Sequence, residues 1–182
     1  MHSRNSCILI VDMINDFVTG KFGSQKSIET VEKADKILQK ISNVPIIFAK
    51  DSHIKNDPEF NVWGEHALDG TKSSEIVSIL SEYPDFVIKK RHYDAFYDTD
   101  LDSLLRALEI KKIYLFGIST DICIIHTCAG AFYRYYDVSV VSDLCSSINE
   151  RNHKSALNNI KINYGYHIIN SEKFIKEVNE NE

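Results

Sequence analysis

The sequence is poor in the residues that interrupt a fold. Three prolines and seven glycines in 182 residues exclude collagenous and low-complexity architectures. Long hydrophobic runs are missing too. The first apolar run, Cys7 to Val11, stops at Asp12, far short of the ~20 apolar residues that span a bilayer. No signal-peptide core precedes it, so the chain is expected in the cytoplasm, without a membrane partner. Positive charge is scarce: 21 Lys and Arg stand against 26 Asp and Glu, a net charge of -5. No basic run provides the footprint that a nucleic-acid binder needs. Cys7, Cys123, Cys128 and Cys145 include no C-x-x-C pair, and they read as reduced thiols rather than a zinc or redox motif. The glycines form neither G-x-G-x-x-G nor a P-loop, which leaves a nucleotide cofactor unsupported. The expected partner is a small molecule or another protein.

What is present is an ordinary globular balance, 43% hydrophobic and 26% charged. The length predicts a single domain over 1–182. Cys7–Val11 and Val44–Ala49 are continuous apolar runs, the mark of strands buried on both faces. Between them Ile28, Val31, Ala34, Ile37, Leu38 and Ile41 recur at helical spacing. Further strands are expected at Phe86–Lys89, Lys112–Phe116, Val138–Ser142 and Tyr166–Ile169. Helices are expected after a Thr99 or Asp100 cap, over Thr120–Tyr135, over Glu150–Ile160, and from Ser171. Alternating β and α elements predict an α/β, doubly wound, six-stranded parallel sheet in the order 3-2-1-4-5-6, with helices on both faces. The one long irregular stretch, Asp51–Thr71, exceeds the usual loop length and reads as functional.

In such a sheet ligands bind beyond the carboxyl ends of the strands. Asp12 follows the first strand, Asp51 and His53 the second, Lys90 the third, and Gly117–Cys123 the fourth. The expected order sets the first and fourth strands side by side, which brings Asp12 near Cys123. At the start of a helix, free N–H groups and the dipole can stabilise a thiolate or an oxyanion. The plain alternative for Cys123 is a small buried hydrophobe, and for Asp12 a helix N-cap. A buried Asp12 needs a partner, and Lys90 is the natural one, although Lys89, Lys90 and Arg91 could simply be a solvated strand end. His126, at i+3 from Cys123, could instead form a Cys–His pair. Asp51, His53, Glu59 and His66 are a second constellation, with nitrogen and oxygen donors that suit Zn, Mn or Fe(II). Phe17, Trp63 and Tyr93 either pack or sandwich a flat ring.

The set Asp12, Lys90 and Cys123, carried in V-D-M-I-N-D-F, K-R-H-Y-D-A-F and G-I-S-T-D-I-C, resembles the isochorismatase-like cysteine hydrolases over about Ile8–Ile169. Within them D-S-H at Asp51–His53, followed by D-P-E-F-N-V-W-G-E-H at Asp57–His66, is most similar to the nicotinamidases. The resemblance implies a catalytic triad of Asp12, Lys90 and Cys123, and one divalent metal ion, zinc above manganese or iron, on Asp51, His53, Glu59 and His66. It implies ring-binding aromatics Phe17, Trp63 and Tyr93. It also implies a non-proline cis peptide before Ser119, whose amide joins that of Cys123 in an oxyanion hole. The implied activity is hydrolysis of nicotinamide to nicotinate and ammonia through a thioester, in pyridine-nucleotide salvage, by a homo-oligomer. A ureido compound, another small amide or isochorismate is the alternative substrate. Two positions depart from the family pattern: Asp94 stands where serine is common, near the expected pocket, and Tyr136 where glycine is usual.

Overall fold

The computed structural model describes residues 5–180. Six strands, β1 (Ser6–Val11), β2 (Ile46–Asp51), β3 (Phe86–Lys90), β4 (Lys112–Ile118), β5 (Asp137–Ser146) and β6 (His167–Ile169), form one sheet in the order β3-β2-β1-β4-β5-β6. Every pairing is parallel, so fold class and strand order agree with the expectation. Helices α1 (Asn15–Val18), α2 (Gln25–Leu38), α3 (Phe60–Trp63), α4 (Leu101–Ala107), α5 (Ile125–Phe132), α6 (Glu150–Tyr164) and α7 (Ser171–Glu180) surround it. Among the described residues no helix is long and apolar enough to cross a membrane.

β1 lies at the centre because Cys7, Ile8, Leu9, Ile10 and Val11 have no polar face to show to water, and all five are fully buried. Each side chain of this size contributes about 1.5–3 kcal/mol by leaving solvent. β3 is one of the two edge strands. Phe86 and Val87 stay exposed there, so its apolar run does not signal burial on both faces. The two longest helices begin where polar side chains satisfy their first free N–H groups. Ser24 accepts from the N–H of Ser27 at 3.0 Å to start α2, and Asn149 accepts from that of Asn152 at 2.8 Å to start α6. α2 then buries Val31, Ala34, Ile37 and Leu38 on one face.

Several boundaries move, each for a local reason. β2 begins at Ile46 rather than Val44, because Pro45 has no N–H to donate, and it runs on to Asp51. There Asp51 stands opposite Lys90, the last residue of β3. The expected helix over Thr120–Tyr135 is instead a π turn, Thr120–Ile124, followed by α5, which ends at Phe132. β5 is longer than expected, because a register shift between Leu115 and Gly117 brings Cys145 opposite Gly117. Gly117 has φ +140°, and a Cβ there would lie 2.0 Å from the carbonyl oxygen of Val11. Only glycine lets β4 come this close to the end of β1. The long stretch after β2 folds back on itself through the short α3, a bridge between His53 and Leu68, and the N–H of Ala67 donating to Asp16 Oδ2 at 2.7 Å.

Candidate active site

The carboxyl ends of β1, β2, β3 and β4 bring four polar side chains together with little exposure to water. Asp12, Asp51, Lys90 and Cys123 are all buried. Asp12 leaves β1 with φ +56°, a left-handed turn that Asp tolerates better than most residues. Its N–H donates to Ala49 at 2.9 Å, and its Oδ1 accepts the N–H of Asp51 at 2.7 Å. Asp12 is not an N-cap, since Ile14 occupies that place before α1. Lys90 is not a solvated strand end either. It is 1% exposed, whereas Lys89 points outward to Asp69. The ammonium of Lys90 lies 2.6 Å from Asp12 Oδ2, contacts Asp51, donates to the carbonyl of His92 at 3.1 Å, and stands 3.7 Å from Cys123 Sγ.

The electrostatics follow from this enclosure. Burial and the neighbouring charge of Asp51 push Asp12 up to about 6, although Lys90 pulls the other way. Burial also raises the Cys123 thiol well above its ordinary value, against the pull of Lys90. Burial opposes charge on Lys90, but Asp12 and Asp51 outweigh it and keep the ammonium protonated. A protonated thiol therefore faces a carboxylate able to take a proton near neutral pH, with a fixed cation between them.

Cys123 sits in the π turn, a form of helix often found at functional sites. The Ile118–Ser119 peptide before that turn is cis, and the carbonyl of Ser119 accepts from Ile122 and Ile124 at 3.2 and 3.0 Å. Side chains from α6 and the loop before it hold the turn from outside. Thr120 Oγ1 meets His153 Nδ1 at 2.8 Å, while Asp121 accepts from Ser147 at 2.6 Å and Asn152 at 3.0 Å. His126 does not pair with Cys123. It is exposed, its Nδ1 lies 2.6 Å from the carbonyl of Ile122, and its ring rests against Tyr93.

Beside these groups one ligand atom from each of Asp51, His53, Glu59 and His66 lies within 4.8 Å of the others. His53 Nε2 is 3.6 Å from Asp51 Oδ2 and 3.9 Å from Glu59 Oε1, and His66 Nε2 is 3.6 Å from the same Glu59 oxygen. His66 Nδ1 lies 2.8 Å from the carbonyl of Gly64, which fixes the proton on Nδ1 and leaves Nε2 a lone pair. His53 is fully buried, and neither of its ring nitrogens has a hydrogen-bond partner. Such groups are normally satisfied, and a divalent cation suits both the orphaned nitrogen and this mixed N/O donor set.

Phe17, Trp63 and Tyr93 line one pocket together with Ser119, Cys123, Asp51, Glu59 and His66. The indole N–H of Trp63 donates to Tyr93 at 2.9 Å and sets the angle between these walls. Phe22, unmarked by any motif, joins them, its ring 5.3 Å from that of His66. Asp57, also overlooked in the sequence, stands 3.3 Å behind His53 Nδ1; its i+4 spacing was the available signal. Asp94 follows the pocket-lining Tyr93 but is not itself part of the lining. Its carboxylate is turned against Gly130 and accepts the N–H of Phe96 at 2.8 Å. Tyr136 needs no glycine-like backbone, and its hydroxyl donates to Asp102 at 2.8 Å.

The model of the isochorismatase domain matches residues 6–173. The chain belongs to the isochorismatase family. Nicotinamidase 3 of Arabidopsis thaliana is 27% identical, over 91% of this chain and 85% of its own length. Among solved structures of similar proteins, N-carbamoylsarcosine amidase from Thermoplasma acidophilum superposes with TM-score 0.84 at 33% identity, covering 92% of this chain and 97% of that one. The pyrazinamidase/nicotinamidase of Streptococcus mutans gives TM-score 0.84 at 29% identity, covering 90% and 99%. The chain is thus an isochorismatase-family hydrolase whose relatives carry the names of more than one substrate.

Proposed function

We propose that this hydrolase is a nicotinamidase, converting nicotinamide to nicotinate and ammonia and so serving pyridine-nucleotide salvage. The observation that carries the reading is a single aromatic-walled pocket lined by both Cys123 and three of the four donors, Asp51, Glu59 and His66, with His53 completing the donor set from the buried side. Those four residues would hold a divalent ion, zinc first, with manganese or iron(II) also compatible, which would supply a Lewis acid for a ring-nitrogen lone pair. Phe17, Trp63 and Tyr93 flank the flat ring and leave its carboxamide facing Cys123.

Catalysis then belongs to the chain's own groups. Asp12 takes the thiol proton as Sγ bonds to the carboxamide carbon, and the carbonyl π electrons move onto oxygen. The backbone amides of Ser119 and Cys123 receive that oxyanion. When the C–N bond breaks, the proton on Asp12 leaves with ammonia. Asp12 next deprotonates water, hydroxide adds to the thioester, and collapse breaks the C–S bond, returns the Asp12 proton to Sγ and releases nicotinic acid, which ionises to nicotinate in solution. Lys90 keeps its charge throughout and steadies Asp12 in both protonation states.

Ammonia release from nicotinamide, benzamide and an N-carbamoyl amine, with and without chelator, tests the reading. Nicotinamide should exceed benzamide in kcat/KM by ~100-fold or more, as in sites built around one polar group of the substrate, and the gap should narrow when metal is stripped. Equal rates for the two aromatic amides would remove nitrogen capture. Turnover of the N-carbamoyl amine alone would assign the pocket to the substrate class named by the Thermoplasma relative.

A further inference from the structure

The fully buried ring of His53 lies between two groups of carboxylates. On its Nε2 side are Asp51 and Glu59, members of the donor cluster. On its Nδ1 side Asp57 stands alone, with Oδ2 3.3 Å away. Asp57 is outside the four-donor cluster, is 4% exposed, and has no hydrogen bond to Oδ2. Its backbone is held on both sides: its N–H donates to Ile54 at 3.2 Å and its carbonyl accepts from Phe60 at 3.0 Å. Pro58 follows it and restricts its conformation further. Arg91 Nη1 lies 3.9 Å from the same Oδ2.

A neutral imidazole has one N–H and one lone pair. For Nε2 to face the cluster as a donor, the proton must sit on Nδ1, where burial requires an acceptor. We infer that Asp57 is the positioning residue of the metal centre: it accepts the Nδ1–H of His53, selects the tautomer that presents Nε2, and makes that nitrogen more basic. His66 obtains the same service from a backbone carbonyl, that of Gly64, so only His53 depends on a side chain, and on a charged one. The inference rests on reading the cluster as a metal site.

The test titrates zinc ions into the metal-stripped full chain against a coloured chelator, for wild type, Asp57→Ala, Asp57→Asn and His53→Ala. Loss of such a partner weakens metal binding by roughly 10–100-fold. Asp57→Ala should show that loss. Asp57→Asn, which keeps an acceptor oxygen of the same shape but not the charge, should fall between it and wild type while folding normally. In zinc-loaded wild type the ring ¹⁵N shifts of His53 should report a protonated Nδ1, a signature that a merely space-filling Asp57 would not set. Wild-type affinity in both Asp57 variants, or a His53 protonated on Nε2, would overturn the inference. If wild type and His53→Ala alike take up no zinc, the metal reading beneath it fails instead, and the inference goes with it.

Discussion

Asp12 and Asp51 are joined directly: the side chain of the first accepts the backbone N–H of the second at 2.7 Å, across 39 residues of sequence. One carboxylate thus ties β1 to β2 while its other oxygen meets Lys90 at 2.6 Å. The structural and the proposed chemical duties of Asp12 fall on different oxygens. Asp12→Asn should therefore keep the link to Asp51 and the fold, yet lose about 10²–10⁴ in kcat as the proton acceptor disappears. Ammonia-release kinetics alongside thermal melts check this, and near wild-type turnover would transfer the proton to another group.

Lys90 neutralises two buried carboxylates at once. Replacing it by Met leaves both uncompensated, a loss of about 3–5 kcal/mol for a broken buried pair. At this chain length that corresponds to a fall in Tm of roughly 10 °C or more. A Lys90→Met protein that melts with wild type would show the pair to be dispensable for folding.

Cys123 shares its pocket with the ring walls, whereas Cys128 and Cys145 are buried away from it. Cys123→Ala should abolish turnover and leave secondary structure intact. Cys128→Ala and Cys145→Ala should each retain most activity, with modest loss of stability from the small cavity created. Full turnover in Cys123→Ala would eliminate the thioester.

Gly117→Ala should fail to fold or fall out of solution. Its Cβ would meet the Val11 carbonyl at 2.0 Å from a backbone with φ +140°, and both objections are to backbone that cannot move aside. Soluble expression with an unchanged melting curve would contradict the close approach of β4 to β1.

Asp143 links α2, β5 and α7: it pairs with Lys33 at 2.6 Å and accepts both the N–H and the hydroxyl of Ser171 at 2.7 Å. Burial opposes its ionisation, but these contacts outweigh burial and hold its pKa below the ordinary carboxylate value. Its stabilisation is therefore complete above the unfolded-state value of ~4 and is lost as pH falls through the lower folded-state value. Asp143→Asn should be less stable than wild type at pH 7, and the gap in denaturation midpoint should close in acid. A gap that persists undiminished well below pH 4 would show the carboxylate's charge to be irrelevant.

The order of the sheet was legible because alternating apolar runs and helical periods admit few topologies, and the ionic partnership of Asp12 with Lys90 because a carboxylate closing a buried strand needs a cation. The contact between Lys90 and Asp51 was not legible. It depends on β2 sliding two residues past its apolar run into register with β3, a choice made by tertiary pairing. The π turn has no periodicity of its own to read, so the stretch from Thr120 looked like ordinary helix. Phe22 was hidden because its neighbours arrive from loop closure, which leaves no trace in spacing, and Asp57 because an i+4 offset from His53 carries meaning only once the irregular stretch is seen to turn there. His126 shares a helical face with Cys123 on paper, but the widened turn rotates it out to solvent.

The strand order also divides labour across the molecule. The donor cluster belongs to the end of β2 and the loop beyond it, while Asp12 and Cys123 hang from β1 and β4. In the proposed reading the loop over 52–71 carries three of the four donors and Trp63, while Phe17, Phe22 and Tyr93 complete the walls from other parts of the chain. Asp51 is the exception, since it touches Lys90 on one side and His53 on the other. It is the joint between the donor cluster and the groups around the thiol, so a change on one side is felt on the other through a single carboxylate.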